Sequence, residues 1–361
     1  MNKKKILHVL YSGQGGLGTY FMNFVNSDQA QHFEHHAFFY GIEPLNQELK
    51  EFCQHYQIPF TYQKKQAKVD FKGLKAVLKF RKQHDIRYVL LHTFSLSLLT
   101  LFGLVSKWKV VSIDHTPYQV KNKLTWLFTL LNHLFASKMI YFYEGHFKHL
   151  KDKFPLLSFG SNSHIIPKNV DINFFKPAVE KANNAVFTIG TTARLIQGKR
   201  HDLIIRAIQK LTEDNIEVHL KIAGNGPLAE SLKILSQELG VANQVEFVGL
   251  LNRMELVKFY QSLDTYIHAS EGETICYSIM EAQACGLPIL ASDVEGINNV
   301  IDNQSNGVLF ENNKSSIAEE ILQLSTCKEK LMQLGLNSRE TSCANSSYSN
   351  SSNLLYTILT Q

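Results

Sequence analysis

Short apolar runs alternate with helix-spaced segments along this 361-residue chain, and the alternation stops once and starts again. Ile6–Leu10 reads as a strand, Gly13–Gly18 as a glycine-rich turn, and Thr19 to about Asn26 as a helix. Tyr88–Leu91, Val110–Ile113 and Met139–Phe142 are further buried-strand candidates with helical patterns between them. Pro167 to Pro177 interrupts the pattern with polar and turn residues. Strands then recur at Val186–Gly190, Glu217–Ala223, Val245–Val248, Thr265–His268 and Pro288–Leu290, separated by helices. Strand–helix alternation of this kind builds parallel, doubly wound sheets. The expectation is an α/β chain of two tandem Rossmann-like domains, 1–166 and 178–345, joined by a linker at 167–177. A tail at 346–361 completes it, with residues 341–353 as loop and Leu354–Leu359 as a short terminal helix.

Composition narrows the class. With 44% hydrophobic and 19% charged residues the chain is neither disordered nor fibrous. Five scattered cysteines without a CxxC pair argue against a disulfide framework or a zinc finger and for a reducing cytoplasm. The basic start before Ile6 precedes an apolar run too short for a signal peptide. Leu124–Tyr143 contains Asn132, His133 and Lys138, so it does not read as a membrane span. Residues 1–180 hold 23 Lys+Arg against 12 Asp+Glu, a net +11; residues 181–361 hold 14 against 20, a net −6. A basic half joined to an acidic one implies two domains with different partners.

Four local patterns carry chemistry. Glu273 and Glu281 sit eight apart, one in the loop after a strand and the other inside the next helix. The amides of Thr274, Ile275 and Cys276 at that helix start suit an anion, although an acidic helix start also complements the macrodipole with no ligand. Arg194 and Lys199 share one strand-to-helix loop, a cation pair fitted to a diphosphate or simply an exposed basic loop. Gly13–Gly18 follows the first strand, lacks a Walker lysine and departs from GxGxxG spacing. His92 and His115 end strands of the first half, where both structural and ligand-facing histidines occur.

Together these patterns resemble the retaining, nucleotide-sugar-dependent glycosyltransferases of family 4, which have the GT-B fold. The resemblance spans nearly the whole chain and is strongest from Phe187 to Phe310. The Glu-x7-Glu motif is Glu273 to Glu281, followed by Ala282 and Gly286-Leu287-Pro288. Arg194 and Lys199 stand five apart after the first strand of the second domain, and Gly224-Asn225-Gly226-Pro227, Glu246–Gly249 and Asn306-Gly307 also fit. The resemblance implies two domains facing across a cleft, with the donor on the second and the acceptor on the first. It implies that Arg194 and Lys199 neutralise the diphosphate, Glu281 takes the ribose hydroxyls and Glu273 the hydroxyls of the transferred sugar. Amides near Ile275, Cys276 and Tyr277 would hold phosphate and sugar, Gly15 and Gly16 would close over the phosphates, and His115 would contact the donor sugar. Backbone near Val248 and Leu250 would read the base. No metal or other cofactor is expected, and no DxD-type site is present. Two departures stand out: Cys276 replaces a family glycine, and the linker reads Pro167-Lys168-Asn169 rather than Pro-Asn-Gly.

The expected partners are a nucleotide-sugar, a glycan or lipid-linked acceptor and an anionic membrane surface on the cytoplasmic face, in bacterial envelope polysaccharide or lipopolysaccharide synthesis. The basic run from Lys64 to Lys82 motivates the membrane. Leu124, Leu127, Phe128, Leu131, Leu134 and Phe135 follow helical spacing toward the core, leaving Trp126 either to project or to pack on a neighbouring helix. A nucleotide-sugar epimerase of the same shape is the enzymatic alternative. A non-catalytic membrane-surface or nucleic-acid binder is the other, and nucleic acid is disfavoured by the absence of a recognition motif.

Overall fold

The computed structural model describes residues 3–13, 15–67, 69–105, 108–155, 162–167, 170–180, 184–274, 276–345 and 348–360. The chain divides into two compact units, Met1–Lys168 with Tyr348–Gln361, and Asn169–Ser347. The first holds seven strands: β1 Lys4–Leu10, β2 Phe33–Gly41, β3 Phe60–Lys64, β4 Tyr88–Leu91, β5 Lys109–Ile113, β6 Lys138–Tyr141 and β7 Ser163–Ile165. The second holds six: β8 Phe187–Thr192, β9 Val218–Ala223, β10 Val245–Gly249, β11 Thr265–His268, β12 Ile289–Ser292 and β13 Val308–Phe310.

Both sheets are parallel, in the orders β3-β2-β1-β4-β5-β6-β7 and β10-β9-β8-β11-β12-β13. Such strands are covered on both faces and therefore read as continuous apolar runs. Ile6, Leu7, Val9 and Leu10 of β1 are completely buried, as are Tyr266 and Ile267 of β11. In each unit the chain order reverses about its first strand, which lies between the second and fourth. The two Rossmann-like domains predicted from the sequence are thus present.

Two local expectations need correction. Residues 341–353 are not loop: the described residues there belong to helices Lys328–Asn345 and Tyr348–Thr360. Poor intrinsic helix formers such as Ser and Asn are overridden by packing. Leu355, Ile358 and Leu359 are buried, and the Tyr356 ring meets Phe33 at 5.7 Å.

The second correction concerns helix Lys123–Phe135, which buries Phe128, Thr129, Asn132 and His133 rather than the leucine stripe. Leu127 and Leu134 are 49% and 47% exposed. Thr129 is drawn inward because its hydroxyl receives Lys121 Nζ at 3.1 Å and donates to Thr125 O at 3.0 Å.

Of the two placements left open for Trp126, the structure shows packing. The side chain packs beside Met139, Tyr141 and Leu150, 6.0 Å from the Phe154 ring and under the ammonium groups of Lys121 and Lys153. Among the described residues no helix is long and apolar enough to cross a membrane.

Candidate functional site

Ligands of open α/β sheets collect outside the carboxyl ends of strands where the strand order reverses. In the second unit that place lies at β8 and β11, which pair through Ile189 and Thr265. The loop after β8 carries Arg194 and Lys199, and the loop after β11 carries Glu273. Lys199 Nζ forms an ion pair with Glu273 Oε1 across 74 residues of sequence. His268, the last residue of β11, sets its Nε2 2.8 Å from the same oxygen.

The electrostatics follow from burial and mutual contact. Burial opposes the charge on Glu273, but Lys199 and His268 outweigh it and hold the carboxyl well below its ordinary value. Burial likewise disfavours the Lys199 ammonium, and Glu273 raises it above 10.5. Burial disfavours imidazolium at His268, yet the Cys276 thiol group and Glu273 hold it up to about 9. The buried Glu273 carboxylate thus sits between two basic side chains, Lys199 and His268, at the strand ends. His201, buried and with neither ring nitrogen hydrogen-bonded among the described residues, is pushed down to about 3 by burial and then by the His268 and Lys199 charges.

Backbone contacts fix the two loops against each other. Glu271 N donates to Gly198 O at 3.0 Å, and Ser270 Oγ to the same carbonyl at 3.3 Å. Ser270 N donates to Ser292 Oγ, whose hydroxyl donates to Asn312 Oδ1, while Asn312 Nδ2 returns to Ser270 O. Gly224, at φ 138°, lets the Gly-x-Gly turn press on the other loop, since a Cβ there would lie 2.0 Å from Ala193 O. Leu195 N then donates to Asn225 O at 3.0 Å, so the turn seats the segment bearing Arg194, which is half-buried.

The remaining sequence candidates of this unit occupy distinct places. Glu281 is buried inside helix Tyr277–Ala284 and accepts from Tyr260 OH at 2.8 Å. Tyr260 in turn meets Thr192 Oγ1 at 2.9 Å, at the end of β8. Glu273 and Glu281 thus lie at opposite ends of one buried hydrogen-bond chain, which runs from Glu281 through Tyr260, Thr192, Tyr266 and His268 to Glu273. Cys276 precedes the helix, with Sγ 3.4 Å from His268 Nε2 and 3.0 Å from Ser278 Oγ. Tyr277, the first helical residue, is buried. Ile275 lies outside the described residues. Val248 is partly buried near the end of β10, and Leu250 just beyond it is 51% exposed.

In the first unit β1, β4 and β5 are neighbours, and their carboxyl ends carry the other candidates. Gly15 takes φ 143°, which L residues rarely adopt, and no atom crowds the place of its missing Cβ. Gly16 begins helix Gly16–Val25 and is exposed. His115 is half-buried, with Nε2 3.1 Å from His92 Nδ1 and its ring 5.0 Å from Phe142 and 5.3 Å from Tyr20. Beside it, fully buried Asp114 is paired with Lys121 and with His146 Nε2 at 3.2 Å, and its other oxygen receives Thr116 N at 3.1 Å. This triad anchors the loop that presents His115.

The sequence reading did not nominate His268, His201 or His146. A polar residue ending an apolar strand was the available signal for His268. Lys121 and His146 meet Asp114 only through tertiary folding.

Comparison with known proteins bears on the fold and the family. Residues 172–341 match the family described as glycosyl transferases group 1. An uncharacterized glycosyltransferase of Methanocaldococcus jannaschii is 35% identical over 126 residues, covering 35% of this chain and 32% of that protein. The alpha-monoglucosyldiacylglycerol synthase of Streptococcus pneumoniae is 23% identical over 278 residues, covering 70% of this chain and 62% of that protein. The chain therefore spans about a third to three-fifths of the length of these curated relatives. The crystal structure of Anabaena HepE in complex with UDP and glucose superposes with a TM-score of 0.83 at 17% identity, covering 99% of this chain and 100% of that one. At that identity the likeness is one of fold, the two-domain GT-B fold. Residues 172–341 thus carry the similarity to the group 1 glycosyl transferases.

Proposed function

We propose that the chain transfers a sugar from a nucleotide-sugar donor to a glycan or lipid-linked acceptor, with retention of anomeric configuration, in bacterial envelope polysaccharide assembly. The observation that carries this reading is the meeting of Lys199, Glu273 and His268 at the ends of β8 and β11. Basic side chains gathered in a water-poor place are what a departing diphosphate needs, because charge builds there in the transition state. The sugar C1–diphosphate oxygen bond breaks while C1 bonds to the acceptor hydroxyl oxygen. The acceptor proton passes to the diphosphate leaving on the same face. Arg194 and Lys199 stabilise that leaving group without an added metal ion. Glu273 accepts hydrogen bonds from the sugar, and Glu281, held by Tyr260, accepts from the ribose.

The roles assigned to Gly15 and Gly16, phosphate closure, and to His115, sugar contact, belong to the first unit. The solved HepE complex holds UDP and glucose, which favours a uridine donor for the first trials. The name of the pneumococcal relative, a synthase of a glucosylated lipid, supports a lipid-linked acceptor. The exposed lysines of the first unit add a peripheral position on the cytoplasmic face of the membrane.

The test is a screen of UDP-, GDP- and ADP-sugars for thermal stabilisation, followed by product analysis with acceptor present. One donor at 100 times its Kd is expected to add about 2.7 kcal/mol of stability. Sugar should then appear on the acceptor with the donor's anomeric configuration. Release of an isomerised nucleotide-sugar with no need for acceptor would instead establish the epimerase reaction, and no stabilisation by any donor would refute both.

A further inference from the structure

Cys276 stands where the family pattern has glycine, and the thiol it adds has a definite neighbourhood. Its Sγ lies 3.4 Å from His268 Nε2, which is itself 2.8 Å from Glu273 Oε1. One ligand atom from each residue lies within 4.8 Å of the others, and all three side chains are buried. Thiol, imidazole and carboxylate together form a borderline-soft donor set, suited to zinc-class ions rather than magnesium. A tetrahedral ion with bonds of about 2.0–2.3 Å sets its donor atoms roughly 3.3–3.6 Å apart. The Sγ–Nε2 spacing of 3.4 Å already falls in that range, the Nε2–Oε1 spacing of 2.8 Å needs to widen by about half an ångström, and the remaining pair lies within 4.8 Å.

The surroundings also suit a ligand set. His268 Nδ1 lies 3.3 Å from Tyr266 OH, whose own proton is directed to Thr192 O at 3.2 Å. Nδ1–H donated to that phenol leaves Nε2 as the metal-facing nitrogen, the outer-shell arrangement that fixes ligand histidines. The Ser278 hydroxyl, 3.0 Å from Sγ, supports the thiolate in the same way.

We propose that His268, Glu273 and Cys276 form a binding site for a thiophilic divalent cation of the zinc class. The ion takes the place of the Nε2 proton of His268 and the thiol proton of Cys276, both released to solvent, and no redox change is involved. Lys199 opposes it, because its ammonium occupies Glu273 Oε1. Its side chain is 21% exposed, so it can turn outward when the ion enters. Occupancy removes Glu273 from sugar binding, and the ion therefore acts as an inhibitor rather than a cofactor. That consequence, unlike the site itself, rests on the donor reading above.

The experiment uses the full chain, stripped with EDTA and freed of chelator, and titrates it with Co²⁺. Cys327 and Cys343 are exposed thiols, so the background carries Cys327→Ser and Cys343→Ser. A thiolate-to-Co²⁺ charge-transfer band saturating at one equivalent is expected, with Zn²⁺ displacing it. Cys276→Ser should abolish the band. His268→Gln should weaken Zn²⁺ binding by calorimetry about 100-fold or more, since even outer-shell partners are worth about 10–100-fold. Lys199→Gln should tighten it. Absence of the band in folded protein, a band surviving Cys276→Ser, or unchanged Zn²⁺ affinity in His268→Gln each overturns the site. Zn²⁺ that binds through Cys276 without weakening nucleotide-sugar binding upholds the site and counts instead against placing the sugar on Glu273.

Discussion

Gly296 lies so close beneath Glu273 that a Cβ on it would fall 1.8 Å from the Glu273 carbonyl oxygen. Its φ of 92° is also strained for any L side chain. The loop bearing Glu273 is thus seated on a glycine 23 residues downstream, and Glu273 N completes the contact by donating to Glu295 O at 3.3 Å. Gly296→Ala must displace that loop. A displacement of about 1 Å at a catalytic group costs on the order of 10² in rate. The expected outcome is a turnover loss of that size with secondary structure retained by circular dichroism. Wild-type turnover in Gly296→Ala would show that the position of Glu273 is not critical.

Arg194→Ala and Lys199→Ala are expected to lower turnover with a nucleotide-sugar by about 10²–10³, the usual loss on removing one electrostatic partner of a transition state. Their stabilities should differ. Lys199 neutralises a buried carboxylate, and leaving such a group with one partner fewer is costly. The melting temperature should therefore fall more for Lys199→Ala than for Arg194→Ala. Near wild-type turnover in both variants would refute the leaving-group assignment.

The two motif glutamates stand at opposite ends of their hydrogen-bond chain and have different proposed partners, so they predict separate failures. Glu281→Gln should weaken free nucleotide, because its proposed partner is the ribose. Glu273→Gln should spare free nucleotide and lower turnover. Calorimetric titration with free nucleotide distinguishes them, and equal losses would refute the division of roles.

Much of this architecture was legible because buried parallel strands announce themselves as apolar runs, as Ile6–Leu10 and Thr265–His268 do. Strands β2 and β3 were harder, since Phe33–Gly41 contains Glu34, His35 and His36, and Phe60–Lys64 is only partly buried at the sheet edge. The sequence placed Lys199 and Glu273 in loops of the right kind, but their pairing depends on β8 lying beside β11, a long-range contact that no local spacing encodes. His268 escaped notice for the same reason: inside an apolar strand it resembles a structural histidine until its carboxylate partner is seen. Helix Tyr348–Thr360 was obscured by its Ser and Asn content, and its order comes from burial of Leu355, Ile358 and Leu359.

Stability of the first unit should depend on pH through its buried histidines. Burial, then the positive charges that His35 and His92 would carry, push His8 well below 6.5. Burial, with His36 and Lys3 adding to it and the hydrogen bond to Ala30 opposing it, pushes His35 down to about 4. Both resist protonation in the fold, whereas the unfolded chain takes up protons once the pH falls below about 6.5. Their contribution is therefore complete above that pH and is lost as the pH falls from 6.5 toward 4, on the order of 3 kcal/mol from His35 alone. Calorimetric melting between about pH 7 and 4.5 should show a steep decline that flattens in His35→Gln. A decline of equal slope in the variant would remove His35 as its source.

The basic surface of the first unit provides the last prediction. Helix Phe71–Gln83 buries Gly73, Leu74 and Val77 and exposes Lys72, Lys75, Lys79 and Lys82 along the opposite side, with Phe71 64% exposed at its start. With Trp126 packed inward, attraction to a membrane rests on these charges. Each Lys near an anionic leaflet is worth about 1 kcal/mol, and the attraction decays within a Debye length of roughly 10 Å at 0.1 M salt. Sedimentation with anionic liposomes should therefore show binding at low salt that weakens as salt rises. Charge reversal at Lys72, Lys79 and Lys82 should reduce it further, while Trp126→Ala should lower stability by removing packing against Met139, Tyr141 and Leu150. Indifference to anionic liposomes at low salt would make the lysine row a solvated helix face and end the case for a membrane position.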